Sequence, residues 1–193
     1  MTDNLQILRQ AGFFKEYTTL SEGELLETLH QKEKEKYSEI FGYEYEPERK
    51  VDLNRIAAQD NKKFLDIDLE ADVCAENKVY TRLLGDLANA SNGHFLPTDI
   101  KEVWSSDQGP ISVTFISNGQ NIVFEPEYND DWIDERFFEI INNEIKQVSN
   151  EGFVYCSGPN DEWIGQNIVL IRLTENEKSL LKEKLDWNFP EHN

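Results

Sequence analysis

ISVTFISNGQNIVFEPEYNDDWIDERFFEIINNEIKQ, residues 111–147, is the stretch from which the fold is read. Ile111, Val113 and Phe115 alternate with Ser112 and Thr114, the period of a half-buried strand. Asn118-Gly119 follows, the pair that best tolerates positive φ at both centres of a type I′ turn. With those two as the turn centres, Phe115 faces Ile122 and Val113 faces Phe124. All five apolar residues then share one face, so register and burial pattern agree. Pro126 lacks an N–H and ends the second strand. Asp130 and Asp131 precede a helix whose N–H groups and dipole favour a carboxylate. Ile133, Phe137, Ile141 and Ile145 recur every four residues, with Ile140 widening the stripe.

Working outward, residues 153–157 and 166–173 read as two further strands. Ile168, Leu170 and Arg172 fall on one face of the second, Val169, Ile171 and Leu173 on the other. Two-sided apolarity marks a central strand. Thr174 and Glu177 form a capping box for a final helix carrying Leu180, Leu181 and Leu185. Trp187 and Phe189 in the tail are expected to dock. Upstream, residues 64–73 alternate Leu65, Ile67, Leu69, Ala71 and Val73 with Asp66, Asp68, Glu70 and Asp72, a strand with an acidic outer face. Residues 77–90 read as a helix ending at Asn92-Gly93, and residues 98–104 as a short helix. The N-terminal part reads as a helix over 4–17, then a second from the Ser21/Glu24 capping box to Gly42. Residues 43–47 are a short strand or connector, 46–52 a loop and 53–58 a turn of helix. The expectation is a single α+β domain over 1–193. Residues 1–60 are mainly helical, and 61–193 form a mainly antiparallel hairpin-helix-hairpin-helix core with helices packed on one face.

The 193 residues hold 38 Asp or Glu against 19 Lys or Arg, a net charge of −19. That balance argues against a nucleic-acid or anionic-membrane binder, because phosphate contacts need Lys and Arg. It favours solubility and steering toward a basic protein. No apolar run reaches the length of a membrane span, and residues 1–10 lack a basic-then-apolar leader pattern, so a cytoplasmic protein is expected. Cys74 and Cys156 stand in no zinc-type spacing and are expected as buried free thiols, paired only if the fold brings them together.

The run from Asp66 to Asp72 has the alternate carboxylates of a calcium loop. However, Ala71 stands where the turn glycine belongs and Asn77 where the closing glutamate belongs, so an acidic sheet face is the better reading. Glu125, Glu127, Asp130, Asp131, Asp134 and Glu135 cluster between a strand end and a helix start, where metal-dependent nucleases collect carboxylates. No histidine or lysine completes such a site. His30 and His192 read as solvent-facing and His94 as a loop residue. Neither a nucleophile elbow nor a phosphate-binding glycine loop is present. No catalytic residue, metal or cofactor is expected. Glu125, Glu127, Asp130 and Asp131 with Trp132 and Trp163 are the candidate surface for a basic partner, carboxylates around aromatic anchors.

Residues 37–43, Tyr-Ser-Glu-Ile-Phe-Gly-Tyr, and the Glu125-Pro-Glu-Tyr128 and Asp131-Trp132 segments resemble small acidic cytosolic bacterial proteins of uncharacterised activity. In size, acidity and lack of a catalytic signature the chain is also similar to bacterial toxin-immunity proteins. That resemblance implies an immunity or inhibitor protein that occludes a basic partner. It transfers no residue role. The alternatives are a metal-dependent hydrolase at the carboxylates near Asp131 and a structural or assembly protein with an apolar partner face.

Overall fold

The computed structural model describes residues 2–46, 53–159, 162–163 and 165–190. The central hairpin is β3 (Ile111–Ser117) and β4 (Gln120–Phe124), with Val113 opposite Phe124 and Phe115 opposite Ile122 as the alternation requires. Asn118 and Gly119 both take positive φ, 49° and 76°. The hairpin tip is also fixed from below. Asn118 Nδ2 donates to Glu144 Oε2 at 3.1 Å and to the Glu144 carbonyl at 3.2 Å, which satisfies a buried carboxylate on α5 (Arg136–Lys146).

The third strand of this sheet is β2 (Thr98–Trp104), antiparallel to β3. Here the helix expected over 98–104 is wrong. Ile100, Val103 and Trp104 fit a helical spacing as well as a strand, and two features disguise the alternation. The register shifts between Thr98 and Lys101, around Asp99 at φ 51°, and the inward position between Ile100 and Trp104 is a glutamate, Glu102. This sheet buries one face. Its other face leaves Val103 and Val123 exposed.

A second sheet has the order β1 (Phe64–Asp68), β7 (Asn167–Leu173), β5 (Gly152–Tyr155), all antiparallel. Its central strand is apolar on both faces, as expected, and each face lies in its own cluster. Ile168 and Leu170 join β3, β4, α4 (Val79–Ala90) and α5. Val169, Ile171 and Leu173 join the N-terminal helices α1 (Thr2–Gln10) and α2 (Glu22–Phe41) and the C-terminal α6 (Glu175–Leu185). Trp187 and Phe189 dock into the second cluster, and a two-residue pairing of β6 (Gly158–Pro159) with β8 (Trp187–Asn188) holds them there.

Both capping boxes form, Ser21 with Glu24 and Thr174 with Glu177. The first helix is shorter than the expected 4–17. It stops at Gln10, Gly12 takes φ 78°, and a separate 3-10 turn covers Lys15–Tyr17. The strand expected over 64–73 pairs regularly only through Asp68. Residues 43–46 form a connector, and the short helix α3 is Leu53–Ala57. Most of the loop expected over 46–52, half of the turn at 158–161, and His192 lie outside the described residues. Both cysteines are free thiols. Cys156 is buried, which pushes its thiol up to about 12, and Cys74 is half-buried.

Candidate functional site

The two acidic runs lie nearly 60 positions apart in sequence, yet the fold zips them together. After β1 the chain continues extended and meets the segment before α5. Ala71 N–H donates to the Asp131 carbonyl at 2.8 Å, Ile133 N–H donates to the Leu69 carbonyl at 2.9 Å, and Glu70 and Trp132 form an antiparallel bridge between them. Leu69 and Ile133 point into the core from this short ladder, while Glu70, Asp131 and Trp132 point out. The ladder sets Glu70 beside Asp131 and Trp132 and so joins the two acidic runs, with the exposed Arg136 guanidinium 3.5 Å from Glu127 among them. Glu125, Glu127, Asp130 and Asp131 are all exposed, and Trp132 stands 40% exposed among them.

The other run supplies the adjoining groove, about 420 Å³, lined by Asp66, Asp68, Glu70, Asp72 and Asp86, with Arg82 as its cation. Two of these carboxylates are held in place by amides from the neighbouring strand. Asn167 Nδ2 donates to Asp66 at 2.9 Å and Gln166 Nε2 to Asp68 at 2.7 Å. Burial pushes the Asp86 carboxyl up.

Besides that backbone ladder, the side chain that fixes the corner is Asp134, not Asp130 or Asp131. Those two do not cap α5. The chain turns back at Asp130 (φ 48°), with Trp132 N–H on the Asn129 carbonyl, so the helix begins several residues later than a cap there requires. Asp134 Oδ1 instead accepts the Arg136 N–H at 3.1 Å and Oδ2 accepts the Glu127 N–H at 2.9 Å, while the Arg136 guanidinium closes on the same carboxylate. Burial acts to raise the Asp134 pKa, but these hydrogen bonds outweigh it and hold the carboxyl below its usual range. The Tyr80 hydroxyl accepts the Asp134 N–H at 3.0 Å. The 125–134 segment is therefore tied to α4 and α5.

Trp163 belongs elsewhere. Its ring packs edge-on against Phe64 (5.7 Å) and Trp187 (5.0 Å) in the N-terminal cluster, across the sheet from the corner at Trp132. Among the described residues no three of His, Cys, Asp and Glu come together so as to hold a metal ion. His30 is not the solvent-facing residue expected. Its side chain is 16% exposed, with Nε2 3.5 Å from Glu46. His94 lies 3.4 Å from Glu151.

Sequence reasoning missed a second concavity, about 560 Å³, at the seam between the two clusters. It contains charges buried in the interior. Arg172, 2% exposed, donates from Nε to the Ala90 carbonyl at 2.8 Å and pairs through Nη1 with Glu151. Lys63, 1% exposed, has its ammonium 3.2 Å from Glu177 Oε2. Gly12 makes room for that pair. A Cβ there would stand 2.4 Å from Glu177 Oε1 and 2.8 Å from Lys63 Nζ. The contributing residues are scattered from 12 to 177, so no local motif announces them.

Among the described residues no helix is long and apolar enough to cross a membrane. No family model, curated protein or solved structure matches the chain.

Proposed function

We propose that this is a non-enzymatic binding protein of the bacterial cytoplasm that occludes a basic protein, in the manner of an immunity or inhibitor protein. The carrying observation is the ladder of residues 69–71 and 131–133, which merges both acidic runs around the exposed Trp132. A field of one sign accelerates encounter with an oppositely charged partner, and a tryptophan ringed by polar groups is the usual energetic centre of an interface. The Asp134 hydrogen bonds pre-form the corner, so little ordering cost remains for binding. Trp163 contributes by packing beneath the N-terminal cluster rather than by contact.

The test begins with the tagged chain in its own cells at low salt, with any retained protein identified and then purified. The reading expects a basic partner whose association rate falls steeply as salt rises. Trp132→Ala should weaken its affinity by about tenfold or more. Salt-independent association that Trp132→Ala leaves unchanged overturns the reading.

One further observation favours the assembly alternative. Phe41 and Tyr43 stack at 5.5 Å and Tyr37 and Phe41 at 5.7 Å at the end of α2, with Ile40, Phe41 and Tyr43 exposed. An apolar aromatic patch of this kind serves self-association, and sedimentation equilibrium decides it. A concentration-dependent oligomer that Phe41→Ser dissolves supports assembly, and a monomer at all concentrations excludes it.

A further inference from the structure

The cavity at the seam runs against the charge of the whole chain. Four cations line it, Lys15, Lys62, Lys63 and Arg172, against two lining carboxylates, Glu16 and Asp60, with Glu151 next to Arg172 and Lys15 and Glu177 next to Lys63. Asp60 is already engaged, with Oδ2 accepting the Phe14 N–H at 2.6 Å and Oδ1 the Lys62 N–H at 3.2 Å. Burial also pushes its pKa up, toward the neutral form.

Lys63 is the feature that the fold alone does not explain. Its ammonium is fully buried, and Glu177 Oε2, 3.2 Å away, is its ion-pair partner in a geometry that falls short of a well-aligned hydrogen bond. That oxygen also accepts the Thr174 N–H at 2.9 Å as part of the helix cap. An ammonium carries three donors, and leaving a charged group short of partners in the interior is costly. Beneath it the Phe13 ring, with its centroid 5.6 Å from Nζ, offers only a cation–π contact. The unmet donors belong to a residue that lines the cavity.

The rest of the lining suits an anion with a carbon skeleton. Lys62 is exposed at the edge and donates to Asn89, whose own Nδ2 is held by the Asn61 carbonyl, and Asn92 brings a side-chain amide. Leu96, 70% exposed, stands at the rim as an apolar contact. The volume falls within the range of small-molecule sites.

We infer that this cavity binds a small organic anion, whose carboxylate or phosphate oxygen completes the hydrogen bonding of the Lys63 ammonium. The site is separate from the acidic corner, so it stands whether or not the corner binds a basic protein.

The test titrates inorganic phosphate and, separately, succinate into the full chain by calorimetry, with ionic strength held constant by sodium chloride. At least one probe should saturate, and which one does so assigns the head group. Lys62→Ala, on an exposed side chain, should weaken that probe by about tenfold, the worth of a hydrogen bond to a charged group, and Lys63→Met should abolish it. Failure of both probes to saturate by about 10 mM overturns the proposal. Equal affinity in the native chain and in Lys62→Ala overturns it as well, and that comparison decides the matter if Lys63→Met does not fold.

Discussion

Glu102 on β2 caps the helix that carries Thr81. Its Oε2 accepts the Thr81 N–H at 2.9 Å and the Thr81 hydroxyl at 3.0 Å. The helix needs this loan because its own N-cap, Lys78, sits in the left-handed region and offers no side-chain acceptor. The second carboxylate oxygen accepts Trp104 Nε1–H at 3.0 Å, so one buried glutamate joins β2 to α4. Glu102→Ala leaves these donors without partners. It should cost about 2–3 kcal/mol in urea unfolding, and Glu102→Gln less, since an amide oxygen still accepts one bond. A change within ~0.5 kcal/mol for Glu102→Ala contradicts the capping role.

Arg172 and Glu151 form an ion pair inside the seam, with Lys15 3.7 Å and His94 3.4 Å from the same glutamate. Removing one partner strands the other's charge. Arg172→Met should therefore destabilise the chain by about 3–5 kcal/mol, and the Arg172→Met/Glu151→Leu double variant by less than the sum of the single losses. Additive losses in a double-mutant cycle contradict direct pairing.

Lys63 makes stability depend on alkaline pH. Burial lowers its pKa from 10.5 to about 8, with Arg172 acting in the same sense and Glu177 and Glu151 opposing. Between those two values the unfolded chain holds the proton and the folded chain releases it, so stability rises with pH across that window. Cys156 and Tyr80, both pushed up to about 12, act in the opposite sense at high pH, but native and variant chains share them. The native chain should accordingly gain about 2 kcal/mol relative to Lys63→Met between about pH 7.5 and 9.5. A difference that stays flat over that interval contradicts the buried, charged lysine.

The two tryptophans of the expected binding surface separate by their effect on folding. Trp132→Ala should move the unfolding free energy by less than about 0.5 kcal/mol, because its ring is outside the core. Trp163→Ala should cost about 3 kcal/mol, because its ring packs on Phe64 and Trp187. Equal losses in the two variants contradict this division.

Features set by local chemistry were legible in the sequence. The register of the β3–β4 hairpin follows from alternation and Asn118-Gly119, both capping boxes from their three-residue spacing, and the central place of β7 from its two apolar faces. Features set by distant partners were not. β2 reads as helix because an inward glutamate breaks its pattern, and that glutamate makes sense only once α4 is beside it. The acidic corner was half legible. Glu125, Glu127, Asp130, Asp131 and Trp132 share it, whereas its union with Glu70 and the groove depends on a ladder between segments far apart in the chain. Trp163 was misplaced for the same reason, since nothing near it in sequence points to Trp187.

From Val169 to Leu173 strand β7 has no solvent side, and this bears on how the chain avoids misfolding. A slip of one residue in its pairing would exchange the linings of the two clusters, since successive side chains point opposite ways. The apolar residues would hardly register the exchange, because Ile, Val and Leu occur on both faces. Arg172 would. It would enter the cluster of Phe13, Phe14 and Trp187 without the Ala90 carbonyl or Glu151 to receive it. A single cation thus makes the shifted alignment prohibitive and leaves the sheet one way to zip.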